Sequence, residues 1–309
     1  MDLYDVIIVG GGPAGLNAAV VLGRARRRVI VFDTGRQRNR LSHGMHNYLT
    51  RDGILPTDFL DMARKEILHY GVGFFGKSVK SVEKKDNGLF RVTAEDRKVY
   101  YSKKILIATG LQDTIPEVEG IREMYGKSVF HCPYCDGWEV RDKKIALYAR
   151  NKNGFELALA LKTWSPHITY LTDGRRYLNR TERDTLDAYG ISIIHKPIRK
   201  LQGRKGQITS VLFTDGDTLP ADAMFFVNGY SQQCSLVEEL GCILSPKKVV
   251  ITNKVQQTNI EGVYVAGDAA RDMHFVVVAA AEGAKAGVTI NKELQKEEKK
   301  KILTSRLPA

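Results

Sequence analysis

The stretch Gly10-Gly11-Gly12-Pro13-Ala14-Gly15 decides the fold of this chain. An apolar run at residues 5–9 precedes it and predicts a short buried strand. Residues 16–26 follow it, are rich in Ala, Leu and Val, and predict a helix. A strand, a G-x-G-x-x-G turn and a helix together are the fingerprint of a dinucleotide-binding βαβ unit.

Each glycine of the motif has its own physical task. Gly10 permits the tight turn, Gly12 lets the backbone approach a pyrophosphate, and Gly15 lets helix and strand pack closely. The free N–H groups and the dipole at the helix start favour an anion. We therefore expect these glycines, together with Pro13 and Ala14, to bind the cofactor phosphates.

The second strand of the unit ends in an acid. Val29–Phe32 is apolar, and Asp33 follows it, 18 positions after Gly15. A carboxylate at this place can accept hydrogen bonds from ribose hydroxyls. A lone glycine motif is weak evidence, but this context makes the prediction of a dinucleotide site strong.

The same plan begins again near residue 144, without its phosphate loop. Residues 144–148 predict a strand, 155–164 a helix and Ile168–Leu171 a second strand. Between the first strand and the helix stands Ala149-Arg150-Asn151-Lys152-Asn153-Gly154, which keeps only the third glycine. Side chains here occupy the place where backbone must touch phosphate, so we expect no tight NADPH binding in the usual geometry.

Other elements follow from apolar periodicity and turn signals. Asp86-Asn87-Gly88 predicts a hairpin turn. The remaining predicted helices cover residues 57–70, 181–189 and 274–294. The remaining predicted strands cover residues 72–75, 78–83, 89–94, 104–108, 191–195, 209–214, 224–227, 249–251 and 262–265.

The strongest chemical signal is Cys132-Pro133-Tyr134-Cys135 with Asp136 directly behind it. Two cysteines at this spacing can close and reopen a small disulfide ring, and the attacking sulfur of such a pair usually has a pKa of about 7 or lower. An acid behind the pair can move the proton.

Three simpler interpretations of the pair compete with redox chemistry: half of a zinc site, a structural disulfide, or two buried thiols. A zinc site needs two more ligands. Cys234 and Cys242 stand eight positions apart, outside the short ligand spacing, and no His pair with finger spacing follows. We predict no metal site, and we interpret both of these cysteines as core thiols.

Composition sets the broad class. The 309 residues are 43% hydrophobic and 27% charged, as in a soluble globular protein, and no apolar run approaches the roughly 20 residues of a membrane span. Four cysteines and no signal-peptide pattern favour a reducing, cytoplasmic compartment. Part of the net charge of +12 comes from the lysine-rich residues 292–301, which predict a solvated, frayed helix end. We expect no nucleic-acid binding, since no basic stripe interleaved with aromatics occurs.

From residue 5 to about 294 the chain resembles the low-molecular-weight thioredoxin reductase family. The resemblance implies an α/β fold of two Rossmann-like, three-layer dinucleotide-binding domains, the second inserted in the first. It implies an FAD domain at residues 1–114 and 232–309, and a cysteine-containing, degenerate NAD(P)H-binding-like domain at residues 115–231. The motifs that carry the resemblance are Gly10 to Gly15, Asp33, Ala108-Thr109-Gly110, Cys132 to Gly137, and Gly267-Asp268.

The resemblance also implies roles. FAD would be the cofactor, Cys135 the sulfur nearest the flavin, Cys132 the sulfur that attacks substrate, and Asp136 the acid/base. Family members are usually homodimers. The implied FAD-binding residues are Gly10, Gly12, Pro13, Ala14, Gly15, Asp33, Ala108, Thr109, Gly110, Gly267 and Asp268.

Two departures from the family pattern concern the cofactors. The NADPH loop is missing, and the usual Arg-Gln shortly after Gly-Asp is His274-Phe275. These losses resemble the NADPH-independent branches, namely dithiol oxidases of the gliotoxin and holomycin type and ferredoxin-dependent flavin thioredoxin reductases. Gliotoxin-type enzymes often have His where Asp136 stands.

Several functions follow as hypotheses. The first is an FAD-dependent dithiol oxidase that passes electrons from a small dithiol to oxygen, with Asp136, His43 or His46 tuning thiolate attack. The second is a thioredoxin reductase in which an acidic ferredoxin or flavodoxin supplies electrons and Cys132 reduces a thioredoxin-like disulfide. The others are a flavin redox sensor without turnover and NADPH-dependent reduction through an altered site.

Overall fold

A computed structural model describes residues 3–305 of the chain, and sheets of mainly parallel strands form its centre. Residues 1–2 and 306–309, at the two ends of the predicted FAD-domain range, lie outside the described residues. No helix within residues 3–305 is both long enough and apolar enough to cross a membrane.

Seventeen strands are numbered in chain order within the described residues. They are β1 Leu3–Val9, β2 Val29–Phe32, β3 Gly73–Phe75, β4 Val79–Lys84, β5 Phe90–Ala94, β6 Val99–Ile107, β7 Leu111–Asp113, β8 Val129–Phe130, β9 Ile145–Ala149, β10 Ile168–Leu171, β11 Ser192–Ile194, β12 Ile198–Arg204, β13 Gln207–Phe213, β14 Thr218–Pro220, β15 Ala223–Val227, β16 Tyr230–Gln232 and β17 Val263–Val265.

The helices are numbered in the same way. They are α1 Pro13–Arg24, α2 Pro56–His69, α3 Ile121–Met124, α4 Pro133–Asp136, α5 Asn153–Leu161, α6 Arg180–Ala188, α7 Leu236–Glu239 and α8 Val276–Thr304, with a 3₁₀ turn at Asp268–Ala270.

The first sheet has the order β3-β2-β1-β6-β5-β4, with β17 also beside β6. Strands β3, β2, β1, β6 and β17 are parallel to one another. Strands β4 and β5 form the predicted antiparallel hairpin. Strand β6 begins five residues before the predicted start at residue 104. Its first half pairs with β5 and its second half with β17, so two neighbours share one edge.

The second sheet has the order β11-β10-β9-β15-β8, and all its strands are parallel. An antiparallel ribbon of β12, β13 and β14 lies between β11 and β15 in the chain. Strand β17 then returns the chain to the first sheet, as an inserted unit requires. The two sheets confirm the predicted α/β class with two Rossmann-like units.

The two units meet at a short ribbon. Strand β7 pairs antiparallel with β16, where the chain leaves and re-enters the first unit. These strands flank the predicted boundaries at residues 114 and 232, which stay a prediction. The predicted strand at 249–251 is wrong, because Val250 makes only an isolated bridge to Leu244 and donates its N–H to the Ala269 carbonyl oxygen at 2.8 Å.

The last helix ends ten residues later than predicted. The lysine-rich end is helical to Thr304 rather than frayed, because acids in the same segment bind basic residues of the first unit. Lys104 pairs with Glu297, and Arg27 pairs with Glu298. At its other end α8 lies so close to α1 that a Cβ on Gly283 would stand 2.0 Å from the Ala14 carbonyl oxygen.

Candidate active site

The first phosphate loop is open on the side where a cofactor would lie. Gly10 has a φ of +109°, and a Cβ there would stand 2.2 Å from the Ala108 carbonyl oxygen. A Cβ on Gly15 would stand 1.9 Å from the Gly10 carbonyl oxygen, which explains the third glycine. A Cβ on Gly12, in contrast, would meet no protein atom within 4 Å. Helix α1 begins after Gly12 with no side-chain cap, so its first N–H groups are free for an anion.

The acid at the end of β2 is held by its neighbours. The Asp33 side chain is 9% exposed, and its Oδ2 accepts hydrogen bonds from Gln37 Nε2 at 2.8 Å and from a guanidinium nitrogen of Arg64 at 3.2 Å. These contacts fix the carboxylate at the wall of the cavity, where it can face a ribose.

One cavity brings together nearly all the predicted site residues. Gly15 and Cys132 are the exceptions: Gly15 is buried against the Gly10 carbonyl oxygen, and Cys132 lies outside the lining. His274 and Phe275, which replace the usual Arg-Gln, also line the cavity. The predicted residues in its wall are Gly10, Gly12, Pro13, Ala14, Asp33, Ala108, Thr109, Gly110, Gly267, Asp268, Cys135 and Asp136.

This wall fits an FAD-sized cofactor in two independent ways. The buried Thr109 Oγ1 has no hydrogen-bond partner among residues 3–305, which leaves it free for a ligand. The space beside Gly12 is one that a side chain would fill and that a pyrophosphate can occupy.

The cysteine pair stands at the carboxyl end of the second sheet. Strand β8 ends at Phe130, two residues before Cys132, and Pro133 starts the one-turn helix α4, as its fixed φ favours. Cys132 and Cys135 form a disulfide with their Cα atoms 5.3 Å apart. Only Cys135 lines the cavity, while Tyr134 between them is 66% exposed. Of the two cysteines, Cys135 is therefore the one that contributes to the cavity wall.

Asp136 is the acid at the end of this turn. Burial and, after it, the charge of Glu139 raise the pKa of Asp136 to about 7, while His46 acts in the opposite direction. A carboxyl group with this pKa exchanges its proton near neutral pH, which is what a general acid/base needs.

A buried network that the sequence did not predict joins the two units behind the pair. Arg38 donates from Nε to Asp113 Oδ2 at 2.7 Å, forms a second bond to Oδ1, and contacts Asp268 Oδ2 at 3.3 Å. The Tyr125 hydroxyl donates to Asp113 at 2.6 Å and lies 3.3 Å from His131 Nδ1. These residues are up to 230 positions apart in the chain, and no short spacing could have revealed them.

The charged groups of this network stabilise one another. Burial favours the neutral acid, but the hydrogen bonds and charge of Arg38 hold the pKa of Asp113 below its usual value. Burial lowers the pKa of His131 to about 4, so this imidazole is neutral at pH 7. The network therefore fixes the wall between Asp268 and the cysteine turn without adding an unpaired charge.

The two histidines of the loop between β2 and α2 differ. Asn47 Nδ2 donates to the Tyr134 carbonyl oxygen at 2.7 Å, which docks the loop on the cysteine turn. His46 lies in the cavity wall, with Nδ1 3.3 Å from Asp52 and Nε2 3.5 Å from Glu139. His43 is exposed and lies outside the cavity lining.

The second fold differs from the first in the segment between the end of β9 and Gly154. A Cβ on Gly154 would stand 2.1 Å from the Tyr170 hydroxyl oxygen and 2.3 Å from the Ala149 Cβ. The Tyr177 hydroxyl donates to the Ala149 carbonyl oxygen at 2.6 Å and lies 3.0 Å from the Tyr170 hydroxyl. The third glycine is thus crowded in both folds, and the difference is that a tyrosine hydroxyl binds the last carbonyl oxygen of β9 and that side chains follow it where the first fold has glycines.

The acid after β10 is also engaged. Asp173 Oδ2 accepts a hydrogen bond from the Tyr148 hydroxyl at 3.2 Å and pairs with Arg150 Nε at 3.6 Å. Asp173 Oδ1 accepts the Ile198 N–H at 2.8 Å. The pair with Arg150 connects the altered loop to the place where a ribose would be recognised.

Comparisons with known proteins agree with this geometry. Residues 4–283 match the model of the pyridine nucleotide-disulphide oxidoreductase family. A protein of Arthroderma benhamiae named "Probable thioredoxin reductase" is 31% identical, over 98% of this chain and 83% of its own length.

Solved structures are similar over nearly the whole chain. The crystal structure of HlmI is 30% identical with a TM-score of 0.94, and the alignment covers 98% of this chain and 96% of that one. The crystal structure of an oxidoreductase from Agrobacterium tumefaciens is 31% identical with a TM-score of 0.88, covering 95% and 99%. The chain thus belongs to the pyridine nucleotide-disulphide oxidoreductase family, as a thioredoxin reductase-like flavoprotein that uses FAD and acts on sulfur groups.

Proposed function

We propose that this enzyme is a dithiol oxidase that takes electrons from a small dithiol through Cys132–Cys135 and does not use NADPH. The observation that carries the proposal is the altered second fold. The Tyr177 hydroxyl donates to the last carbonyl oxygen of β9, and Arg150 pairs with Asp173 across the ends of β9 and β10, the strand ends at which a dinucleotide fold usually binds pyrophosphate and ribose. A donor other than a pyridine nucleotide must then supply the electrons.

The cysteine pair is suited to receive the electrons of the substrate dithiol. One thiolate of the substrate attacks Cys132 Sγ, the Cys132–Cys135 bond breaks, and Cys135 leaves as a thiolate. The second substrate thiolate attacks the substrate sulfur of the mixed disulfide, which releases Cys132 and a substrate disulfide. The substrate loses two electrons and two protons, and the pair holds the two electrons as two thiolates.

Asp136 serves the proton transfers of these steps. Since its pKa is raised to about 7, its ionised form can accept a thiol proton and its neutral form can return one. The position of Cys135 in the cavity wall supports its assignment as the sulfur nearest the cofactor. FAD, held by the residues of the cavity wall, would supply the two-electron acceptor for the reduced cysteines and the reaction with oxygen.

The cofactor-binding residues, the domain division, the oligomeric state and the location are proposals of the same kind. We propose that the phosphate-loop, Asp33, Ala108 to Gly110 and Gly267-Asp268 residues hold FAD, and that domains divide at 114/115 and 231/232. A homodimer and a cytoplasmic location are proposed as well.

Anaerobic mixing with dithiothreitol tests the oxidase. We expect the flavin absorbance to bleach within seconds and to return when air is admitted. Absorbance that does not bleach, or that oxygen does not restore, contradicts the proposal.

Ferredoxin- or flavodoxin-dependent reduction of thioredoxin is the second candidate, and the net charge of +12 favours it because acidic carriers are steered to basic surfaces. The discriminating assay supplies reduced ferredoxin and oxidised thioredoxin at low salt. Formation of reduced thioredoxin in that assay supports this candidate, and its absence eliminates it.

A further inference from the structure

One imidazole stands between three acids beside the cysteine pair. The loop of residues 42–54 closes on itself through two backbone hydrogen bonds: the Met45 N–H donates to the Ile54 carbonyl oxygen and the Gly53 N–H donates to the Met45 carbonyl oxygen, both at 2.8 Å. This closure places His46 at the foot of the loop. Its two ring nitrogens face Asp52 and Glu139, which belong to different segments.

His46 is therefore a bridge between the loop and the segment that follows the pair. Asp52 also accepts the Asn47 N–H at 2.8 Å, so the loop itself orients that carboxylate. Glu139 comes three residues after Asp136, and it has no side-chain partner in the described residues other than His46. Without the imidazole, the Glu139 charge would face Asp136 with nothing between them to offset it.

Few charged groups lie around Asp136. Glu139 disfavours its ionised form, the charge of His46 favours it, and the Tyr125 phenol on the network side also senses it. Asp52 acts on the ionisation of Asp136 through His46. The hydrogen bond from the Asn47 N–H and, after it, the bond to His46 hold the pKa of Asp52 below its usual value.

We propose that His46 is a positioning residue that keeps Asp136 able to accept a proton, by binding Glu139 and Asp52 with its two ring nitrogens. The inference rests on the proposed function, in which Asp136 takes the substrate thiol proton. In that step the substrate S–H bond breaks, the proton goes to the Asp136 carboxylate, and the sulfur forms its new bond with Cys132 as Cys135 leaves. His46 touches neither sulfur and acts through charge and orientation.

The test is the pH profile of anaerobic flavin reduction by dithiothreitol in the flavin-loaded enzyme. His46→Gln should move the rising limb upward by about half a pH unit, because a favourable charge is lost near Asp136. Its rate should therefore fall about 3-fold on the acid limb and approach wild type well above it. Glu139→Gln should move the limb in the opposite direction, which a merely disordered loop would not do.

His43→Gln is the matched control, since it changes an exposed histidine of the same loop. A second readout is independent of turnover: ¹³C NMR titration of the Asp136 carboxyl group, assigned through its disappearance in Asp136→Asn. The titration midpoint should rise in His46→Gln and fall in Glu139→Gln.

Two outcomes separate the failures. If Asp136→Asn removes the acid limb but His46→Gln keeps the wild-type profile and midpoint, the role of His46 is wrong and the proposed function stands. If Asp136→Asn keeps the acid limb, Asp136 is not the proton acceptor, and both the assignment and the role of His46 are wrong.

Discussion

The two nucleotide folds of this enzyme share one plan and differ at one place. After β1 the turn is lined by backbone, and the space beside Gly12 is empty of protein atoms. After β9 the Tyr177 hydroxyl binds the last carbonyl oxygen of the strand, and Arg150 forms an ion pair with Asp173. The difference teaches that a Rossmann-like sheet persists without its ligand, because the sheet is stabilised by its own core. Recognition of the nucleotide depends on a few loop positions.

This comparison implies that electrons reach the cofactor through the cysteine pair, and the largest expected effect tests that route. Cys132→Ser removes the sulfur that the substrate thiolate attacks, so dithiol-driven oxygen consumption should fall by at least about 10³-fold. Cys242→Ala, which changes a buried thiol in the core of the first sheet, should keep the wild-type rate of oxygen consumption. A Cys132→Ser variant with substantial oxidase activity would show that dithiols reduce the flavin directly.

The open loop can be closed by one side chain. Gly12→Val should lower the flavin retained per protein by about 10-fold or more, because the side chain fills the space for the pyrophosphate. Flavin absorbance relative to protein measures the loss, and circular dichroism checks the fold. Gly76→Val is the control, since a Cβ there also meets no atom within 4 Å but lies outside the cavity. Full flavin content in Gly12→Val would place the pyrophosphate elsewhere.

Asp136 lies where the two regions meet, and its burial has a cost that depends on pH. Because its folded-state pKa is raised to about 7, the wild type loses stability relative to an Asn variant as pH rises from about 4 to 7. Asp136→Asn should therefore raise the free energy of unfolding by up to about 4 kcal/mol at pH 8 and by little at pH 4. Urea unfolding at both pH values measures this. A gain in the free energy of unfolding that is equal at the two pH values would mean that packing, and not ionisation, causes the gain. Asp86→Asn in the exposed hairpin turn is the control.

The smallest effect is expected in the second fold. Asp173→Ala removes the partner of Arg150 and the acceptor of the Ile198 N–H, which should cost about 1–2 kcal/mol of stability. The rate of flavin reduction by dithiothreitol should stay within about 2-fold, and NADPH should still be inert because the loop glycines remain absent. Loss of dithiol turnover with normal flavin content would show that this fold takes part in the chemistry.

The sequence was most informative where local rules decide the structure. The glycine motif and the alternation of apolar runs predicted both sheets, because strand, turn and helix follow one another within about 30 residues. The disulfide-forming pair at Cys132 and Cys135 was predicted from spacing alone. The early start of β6 was missed, since it depends on partners that return from residues 90–94 and 263–265.

The rest of the site depends on contacts between distant segments. Arg38 meets Asp113 and Asp268, and His46 meets Glu139, only after the loop before α2 docks on the inserted unit. No residue spacing encodes such pairs, so the sequence named His46 only as one of two loop histidines. The fold distinguishes it from His43 by placing it in the cavity wall.

Parallel anaerobic titrations of the flavin with NADPH and with dithiothreitol test the central claim most directly. The altered second fold and the position of Cys135 in the cavity wall predict that stoichiometric dithiothreitol bleaches the flavin and that NADPH at the same concentration leaves its spectrum unchanged. Bleaching by stoichiometric NADPH would contradict the claim, because the Arg150–Asp173 pair and the Tyr177 bond would then not keep a pyridine nucleotide out.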